Sequence, residues 1–279
     1  MTFPSPKRLL TEWNLKPKHN FGQNFLHNPE LVERIAQRVA PDHAGTVVEI
    51  GAGLGALTSS LLAHSTRVIA IERDRDLIPI LHEQFLPAIE EGKFVLLEED
   101  AKATNYEALF ENSPKPSVLA GNLPYQLTGP LMRRVVELSK VIDRAVFMVQ
   151  LEVADRLCAA PGTSNYGALS VFVQACFSVE RVMTVGSGSF YPQPRVDSAV
   201  VALTPLRPPI AEETQIFREL VQRAFQQRRK MLRNAWQKLA FATDDALRQA
   251  ATRAGVNLDA RGETLSVRDF ARVALELSS

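Results

Sequence analysis

The chain has 279 residues, of which 46% are apolar and 23% are charged, the composition of an ordinary soluble globular protein. No stretch approaches the roughly 20 apolar residues of a membrane span, and no basic-then-apolar leader opens the sequence. The two cysteines, Cys158 and Cys176, lack the paired spacing of a zinc site. We therefore expect a cytoplasmic protein with reduced thiols, no metal and no membrane contact.

The net charge of +1 hides an uneven distribution along the chain. Residues 1–25 carry a net charge of +3, residues 26–206 carry −6, and residues 207–279 carry +4. Two basic ends around an acidic centre are typical of a protein that holds a polyanion by its ends. The alternative is ordinary scatter of surface charge.

The first 27 residues are predicted to be irregular, with aromatic and polar side chains mixed just before a helix. Asn28 and Pro29 are a good helix start, with Asn as the N-cap and Pro at the first helical position. The apolar residues that follow recur every four positions, so the helix should continue until just before Pro41.

A strand and a glycine-rich turn come next. Thr46–Ile50 is predicted to be the strand, and Gly51–Ala56 turns it into a helix. Glycines at such a turn let the backbone approach a ligand closely, and their spacing also fits the dinucleotide fingerprint. The next strand, Val68–Ile71, ends at Glu72, whose carboxylate can accept both ribose hydroxyls of an adenosine. NAD and S-adenosylmethionine both carry that group, so the turn does not choose between them.

Two further strands deliver polar side chains at their carboxyl ends, where ligands bind in open α/β sheets. Phe94–Leu97 is followed by Asp100, which either accepts from an adenine amino group or caps the next turn. Ser117–Gly121 is a buried parallel strand that ends at Asn122. The Asn122 amide, the neighbouring carbonyls and the Tyr125 ring form a receptor for a planar group bearing an NH₂. The alternative is a polar turn after a strand.

Strands and helices alternate five times up to the strand Arg144–Val149, which predicts a doubly wound parallel α/β sheet. The later segments Leu169–Val179 and Ser198–Leu203 are expected to form an antiparallel pair that closes the sheet edge. A nicotinamide enzyme needs a wide second half of the sheet to hold the nicotinamide ring. An antiparallel pair at the sheet edge therefore favours methyl transfer over hydride transfer.

The C-terminal part is predicted to be all-helical after a stiff, proline-rich linker at 205–209. Apolar positions from Phe217 to Leu239 share one helical face, and Arg228 falls in the middle of that face. We expect either that the helix breaks near Gln226–Gln227 or that Arg228 points inward to a partner.

The basic residues beside Arg228 suit a nucleic-acid partner. Arg229, Lys230 and Arg233 lie on the outer side of the predicted helix, where they either contact phosphates or form a solvated face. A later helix should begin after Ser266, a plausible N-cap with Asp269 three residues on.

Five motifs occur in a fixed order along the chain: Phe21–Leu26, Glu49–Gly55, Asn122–Tyr125, Ser189–Ser198 and Gln227–Asn234. They resemble the FGQNFL, cofactor-loop, NLPY, FxPxPxVDS and QRRKxLRN segments of the ribosomal RNA adenine dimethyltransferases, in particular the bacterial small-subunit KsgA/RsmA family. The resemblance covers the chain almost end to end. One departure is Gln226, where the family usually has Asn.

The resemblance implies a fold and a reaction. Residues 1–206 would form a class I (Rossmann-like) S-adenosylmethionine-dependent catalytic domain, with 1–27 over the cofactor, and 207–279 a small helical RNA-positioning domain. The implied reaction transfers methyl groups from S-adenosylmethionine to N6 of two adjacent adenines near the 3′ end of 16S rRNA. The expected partner is 16S rRNA within the small ribosomal subunit, during ribosome biogenesis, and the enzyme is expected to be a monomer.

The resemblance also assigns catalytic roles within the segment that contains Pro124. Asn122 Oδ1 and the Leu123 carbonyl would accept the protons of the adenine amine. Tyr125 and Phe190 would stack on the two faces of the flipped adenine. The alternative for Phe190 is an aromatic side chain that plugs the core between loops.

The implied cofactor site draws on five segments of the chain. The N-terminal segment closes over the cofactor, the glycine turn faces its methionine part, and acidic residues hold its ribose and adenine. The expected cofactor-binding residues are Asn24, Leu26, Gly51, Gly53, Glu72, Asp100 and Asn122, and the expected RNA-binding residues are Arg228, Arg229, Lys230 and Arg233.

Three other functions are considered. A ribosome-assembly factor that works without turnover would keep the basic ends but tolerate loss of Asn122. A methyltransferase of the related antibiotic-resistance class would modify large-subunit rRNA, although the basic C-terminal run and the 189–198 segment argue against it. An NAD oxidoreductase is the third.

Overall fold

A computed structural model describes residues 4–18, 21–124 and 127–278. It divides the chain into two compact units. The first unit comprises Met1–Ala154 and Glu180–Pro205, and the second comprises Asp155–Val179 and Leu206–Ser279.

The α-helices and strands alternate through the first half of the chain, and helices dominate the end. The strands are β1 (Phe25–Leu26), β2 (Ala44–Ile50), β3 (Ser65–Glu72), β4 (Phe94–Glu98), β5 (Ser117–Asn122), β6 (Arg144–Gln150), β7 (Phe177–Val185), β8 (Phe190–Tyr191) and β9 (Ser198–Pro205). The helices are α1 (Pro6–Glu12), α2 (Pro29–Val39), α3 (Ala56–His64), α4 (Ile78–Glu90), α5 (Tyr106–Phe110), α6 (Thr128–Glu137), α7 (Leu151–Leu157), α8 (Ala168–Cys176), α9 (Gln215–Gln226), α10 (Leu232–Ala235), α11 (Asp244–Ala254) and α12 (Val267–Ser278). Within the described ranges, no helix is both long and apolar enough to cross a membrane.

The main sheet has the strand order β4-β3-β2-β5-β6-β9-β7. The strands from β4 to β6 pair in parallel, while β9 runs antiparallel to β6. All seven residues of β2 are buried, as expected for a central parallel strand that is covered on both faces. This arrangement confirms the predicted doubly wound α/β sheet and brings the ends of β2, β3 and β5 to one edge.

Gly121 allows β5 to pass close to the end of β2. A Cβ atom at this position would lie 2.4 Å from the Ile50 carbonyl oxygen. Real Cβ atoms do not approach a backbone oxygen so closely, so any side chain here would push the two strands apart. The glycine therefore fixes where the next residue, Asn122, stands relative to the glycine turn.

The N-terminal segment is more ordered than the sequence predicted. The prediction that residues 1–27 are irregular is wrong, because α1 and β1 lie within them. Ser5 Oγ accepts from the Arg8 backbone N–H at 3.3 Å and caps α1. Leu9 and Leu10 are buried against Phe25 in a small apolar cluster, so tertiary packing stabilises this short helix.

The predicted strand Leu169–Val179 is also wrong in its first part, which forms helix α8 before β7 begins. A continuous apolar run cannot be assigned by periodicity alone. Here the Gly167 backbone N–H donates to Ser170 Oγ at 3.1 Å, an interaction that begins the helix. Helix α8 packs against α9 and α12, so residues 155–179 join the helical unit, whereas the predicted boundary at residue 206 left them in the catalytic domain.

The predicted break near Gln226 is present, because α9 ends at that residue and α10 begins only at Leu232. The buried indole of Trp236 donates to the Leu220 carbonyl at 2.9 Å and joins α9 to the segment after the break. The predicted N-cap at Ser266 is also confirmed. Its Oγ accepts from the Asp269 N–H at 3.2 Å, and an Asp269 carboxylate oxygen accepts from the Ser266 N–H at 2.8 Å.

Candidate cofactor and catalytic site

A cavity of about 300 Å³ lies in the first unit, at the carboxyl ends of β2, β3, β4 and β5. This is the position at which open α/β sheets bind ligands. All seven expected cofactor-binding residues line it: Asn24, Leu26, Gly51, Gly53, Glu72, Asp100 and Asn122. Pro124 lines it too. Asn24 and Asn122, which are 98 positions apart in the sequence, therefore meet around one space.

Glu72 is held in one orientation at the end of β3. One carboxylate oxygen accepts from the Gly53 backbone N–H and the other from the Asp74 N–H, both at 2.8 Å. The residue is only 7% exposed, and this burial raises the pKa of Glu72, while the N–H groups oppose the rise. A carboxylate fixed beside the glycine turn can accept hydrogen bonds from vicinal hydroxyls.

Glu49 is a second, completely buried carboxyl group in the lining of the same cavity. Thr58 Oγ1 donates to its Oε2 at 2.5 Å. Burial raises the pKa of Glu49 to about 8, and the nearby Glu72 carboxylate adds to the rise. Glu49 begins the cofactor-loop motif but was not among the expected cofactor-binding residues, although an acidic residue within an apolar run was an available signal.

Asp100 does what the capping alternative predicted and also lines the cavity. Its Oδ1 accepts from the Lys102 backbone N–H at 3.0 Å, and its Oδ2 lies 3.3 Å from the Arg73 guanidinium. The Arg73 guanidinium in turn lies 5.6 Å from the centre of the Phe21 ring. The role of Asp100 toward an adenine amino group stays a prediction.

Asn122 is tied to the N-terminal segment. Its Nδ2 donates to the Asn24 backbone carbonyl at 3.1 Å, while the Asn24 side chain donates to the Gly22 carbonyl at 3.1 Å. The Leu123 backbone N–H donates to the Met148 carbonyl at 3.0 Å and holds the turn after β5 against β6. Tyr125, the fourth residue of the predicted catalytic motif, lies outside the described residues.

Phe190 lies in the core of this structure, and its stacking on an adenine stays a prediction. It is 3% exposed, belongs to the main core cluster, and is not part of the cavity lining. Strand β8 pairs antiparallel with β1, which places Phe190 opposite Leu26. The alternative, an aromatic side chain that plugs the core, is therefore what the structure contains, because strand pairing directs this ring inward.

The four predicted RNA-binding residues divide into two kinds. Arg228 donates to Glu263 at 2.8 Å and to the Ser164 carbonyl at 2.6 Å. It therefore has an acidic partner, and it also lies just past the helix break. Arg233 pairs with Asp259 at 2.5 Å. Arg229 and Lys230 are exposed, and no ion pair joins either of them to another described residue. All four residues, Arg228, Arg229, Lys230 and Arg233, belong to the second unit.

Comparison with known proteins identifies the family. The profile described as "Ribosomal RNA adenine dimethylase" matches residues 14–279. The chain belongs to this family. Membership makes it an enzyme of ribosomal RNA adenine dimethylation, in agreement with the resemblance noted in its sequence, and it excludes the NAD oxidoreductase.

Curated members of the family match almost the whole chain. Ribosomal RNA small subunit methyltransferase A of Anaeromyxobacter sp. (strain K) is 40% identical over an alignment of 283 positions that covers 96% of each chain. The protein of the same name from Pseudomonas aeruginosa is 38% identical and covers 94% of this chain and 95% of its own length.

Solved structures agree with this assignment. A dimethyladenosine transferase from Plasmodium falciparum superposes with a TM-score of 0.74 at 26% identity, covering 91% of this chain and 97% of that one. The 23S rRNA methyltransferase ErmE superposes with a TM-score of 0.67 at 25% identity, covering 92% of this chain and all of its own.

Two polar residues that were not expected to bind the cofactor belong to the site or its edge: Gln23 lines the cavity, and Asp74 donates to Glu72 beside it. Gln23 Nε2 donates to Asp74 Oδ2 at 2.6 Å, although 51 positions separate the two residues. No local sequence pattern could have paired them. The one available signal was that Asp74 follows Glu72 by two residues.

Proposed function

We propose that this family member transfers methyl groups from S-adenosylmethionine to N6 of two adjacent adenines near the 3′ end of 16S rRNA, in the small ribosomal subunit. The observation that carries the proposal is the Asn122 amide, fixed at the edge of the cavity that Glu72 also lines. The small subunit is preferred because relatives of that name are 38–40% identical to the chain, against 25% for ErmE.

The cavity suits the proposed cofactor. Its volume of about 300 Å³ is within the range of small-ligand sites, and its lining combines apolar walls with a few fixed polar groups. Glu72 would hold the ribose hydroxyls, Asp100 the adenine amine, and the Gly51–Gly53 turn the methionine part. S-adenosylmethionine would supply an electrophilic methyl group on a sulfonium. Asn24 and Leu26 would cover it from the N-terminal segment.

The proposed chemistry depends mainly on orientation. The adenine N6 is a poor nucleophile because its lone pair is delocalised into the ring. Asn122 Nδ2 is already engaged by the Asn24 carbonyl, so we assign amine acceptance to Oδ1, together with the Leu123 carbonyl. Two acceptors on the amine protons favour a pyramidal nitrogen whose lone pair faces the methyl group. Placement of such dipoles supplies catalysis without a strong general base.

Tyr125 and the basic run complete the proposal. Tyr125 would stack on the flipped adenine, as aromatic side chains do with unpaired bases. Arg229 and Lys230, exposed in the second unit, would contact phosphates of the rRNA. Residues 207–279 would act mainly in RNA positioning. Because small ribosomal subunits are cytoplasmic, the enzyme would act in the cytoplasm, during ribosome biogenesis, and as a monomer.

Methylation of purified, unmethylated subunits with labelled cofactor tests this function. We expect label in 16S rRNA, at two adjacent adenines, from small subunits but not from large ones. Label in 23S rRNA would favour the antibiotic-resistance class of activity. Tight binding of small subunits without transfer would favour an assembly factor that works without turnover.

A further inference from the structure

The carboxylate of Asp74 joins the N-terminal segment to the loop after β3. The residue is 2% exposed, yet it accepts from Lys18 Nζ at 2.5 Å and from Gln23 Nε2 at 2.6 Å. A buried carboxylate needs such partners, because an unpaired charge away from water destabilises the fold strongly. We call these three side chains, Lys18, Gln23 and Asp74, the latch.

Both the nitrogen and the oxygen of the Gln23 side-chain amide form hydrogen bonds in this region. While Nε2 donates to Asp74, Oε1 accepts from the Lys18 backbone N–H at 2.7 Å. The carboxylates of Asp74 and Asp76 raise the pKa of Lys18, so its ammonium stays charged. Gln23 therefore links Lys18 to Asp74 in the loop after β3.

The latch is continuous with the site on both sides. On one side, the Asp74 backbone N–H donates to Glu72, the proposed ribose acceptor, at 2.8 Å. On the other side, Gln23 immediately precedes Asn24, whose carbonyl holds the Asn122 amide at 3.1 Å. The position of that carbonyl depends on where the latch fastens the segment.

We propose that Gln23 and Asp74 are positioning residues for methyl transfer, which act by placing the Asn24 carbonyl that orients the Asn122 amide. The inference rests on the proposed function of Asn122. With the carbonyl in place, Nδ2 is committed and Oδ1 faces the substrate amine. Without the latch, the amide is free to rotate, and the acceptor is lost for part of the time. Neither Gln23 nor Asp74 needs to touch the substrate for this role.

The test uses an exchange of the two groups. Gln23→Glu places a second carboxylate against Asp74, and adding Asp74→Asn restores one amide and one carboxylate across the same contact. The matched control is Arg75→Gln in the same loop, because Arg75 is 85% exposed and pairs only with Glu98 among the described residues. Each protein is assayed by single-turnover transfer to small subunits at saturating cofactor, with and without Asn122→Ala.

We expect Gln23→Glu to slow transfer about tenfold, a size typical of residues that act through a shared contact. The double exchange should recover transfer to within about twofold of the parent, and Arg75→Gln should leave it unchanged. In the Asn122→Ala background, Gln23→Glu should cost less than about twofold, because its target is already absent. An equal loss in both backgrounds, or no loss in the parent, overturns the positioning role.

Hydrogen–deuterium exchange of residues 21–26 gives a readout that needs no transfer. Gln23→Glu should accelerate exchange in this segment, the double exchange should restore protection, and Arg75→Gln should change nothing. Unchanged protection in Gln23→Glu overturns the proposal. A parent protein that methylates no small subunits would overturn the proposed function instead, and the exchange measurement would still decide whether the latch fastens the segment.

Discussion

Two regions differ in what their sequence motifs reveal: the cofactor cavity of the first unit and the basic run of the second unit, which comprises Arg228, Arg229, Lys230 and Arg233. In the cavity, all seven predicted residues line one space. In the basic run, two of four predicted cations have acidic partners, Glu263 and Asp259, which lie 35 and 26 positions away. The residues predicted from strand ends and backbone geometry therefore meet at one site. The role of each cation in the basic run depends instead on acidic partners that lie outside its motif.

The largest effect is expected at Asn122, where geometry alone should account for the chemistry. Asn122→Ala should lower single-turnover methyl transfer by about 10²–10³, the usual effect of removing one preorganised polar group. If Asn122 only ended a strand, the change would cost about 1 kcal/mol of stability and leave the folded fraction active. Thermal melting measures that fraction, and small-subunit binding should survive.

Asn122→Asp sharpens this test. Aspartate keeps an acceptor but loses the donor that holds the Asn24 carbonyl, and it adds charge near the sulfonium. We expect it to retain more activity than Asn122→Ala. Near-normal transfer by well-folded Asn122→Ala would mean that backbone carbonyls alone position the amine, and the cavity would then lose its main functional assignment.

The contrast also explains what the sequence could and could not predict. The alternation of strands and helices, the end of β5 and the Asn28 N-cap were predictable because each depends on local residue type and hydrophobic period. Helix α8 was missed because its apolar run fits either a helix or a strand. Gln23 and Asp74 were missed as a pair, since a contact between loops 51 positions apart leaves no local pattern. The inward turn of Phe190 depends on the pairing of β8 with β1, which the motif could not indicate.

Glu49 offers a pH test of burial within the cavity. Burial raises its pKa from 4.5 to about 8, so the stability due to the neutral carboxyl is complete below pH 4.5 and is lost as the pH rises toward 8. Glu49→Gln cannot ionise and keeps an acceptor for Thr58. Relative to the parent, it should therefore gain about 2–4 kcal/mol in the free energy of unfolding between pH 5 and pH 8.

Urea denaturation at the two pH values measures this difference. Glu33→Gln is a useful control, because hydrogen bonding to His64 lowers the pKa of Glu33, so the stability due to its carboxylate is lost only as the pH falls below 4.5, outside this range. A constant difference between Glu49→Gln and the parent across the range would show that Glu49 is ionised in the folded protein.

Glu72 should produce a smaller effect, confined to cofactor binding. Glu72→Ala removes a charged acceptor from the ribose hydroxyls and should weaken S-adenosylmethionine binding by about 1.5–3 kcal/mol. Glu72→Gln keeps one acceptor and should lose less. Calorimetry that shows full affinity in Glu72→Ala, or tight NAD binding by the parent, would contradict the cofactor assignment.

The smallest effect separates the two kinds of cation in the basic run. The double variant Arg229→Ala/Lys230→Ala removes two exposed cations, and Arg228→Ala/Arg233→Ala removes two that have acidic partners. Both lower the net charge by two, so they are matched for long-range electrostatics. If acidic partners keep Arg228 and Arg233 from RNA, only the Arg229→Ala/Lys230→Ala variant should flatten the salt dependence of small-subunit binding. The expected change is about 0.7–0.9 in the log–log slope for each lost phosphate contact.

The second variant should act on the fold instead. Exposed ion pairs contribute about 0.2–1 kcal/mol each, so Arg228→Ala/Arg233→Ala should lower the unfolding free energy slightly while the salt slope stays unchanged. Cofactor affinity, measured by calorimetry, should be the same in both variants and in the parent, because the cavity residues belong to the first unit. Equal slopes in the two variants would mean that Arg228 and Arg233 contribute to RNA binding as much as Arg229 and Lys230 do, despite their acidic partners. In that case, ion pairing within the fold would not explain why the basic run differs from the cavity.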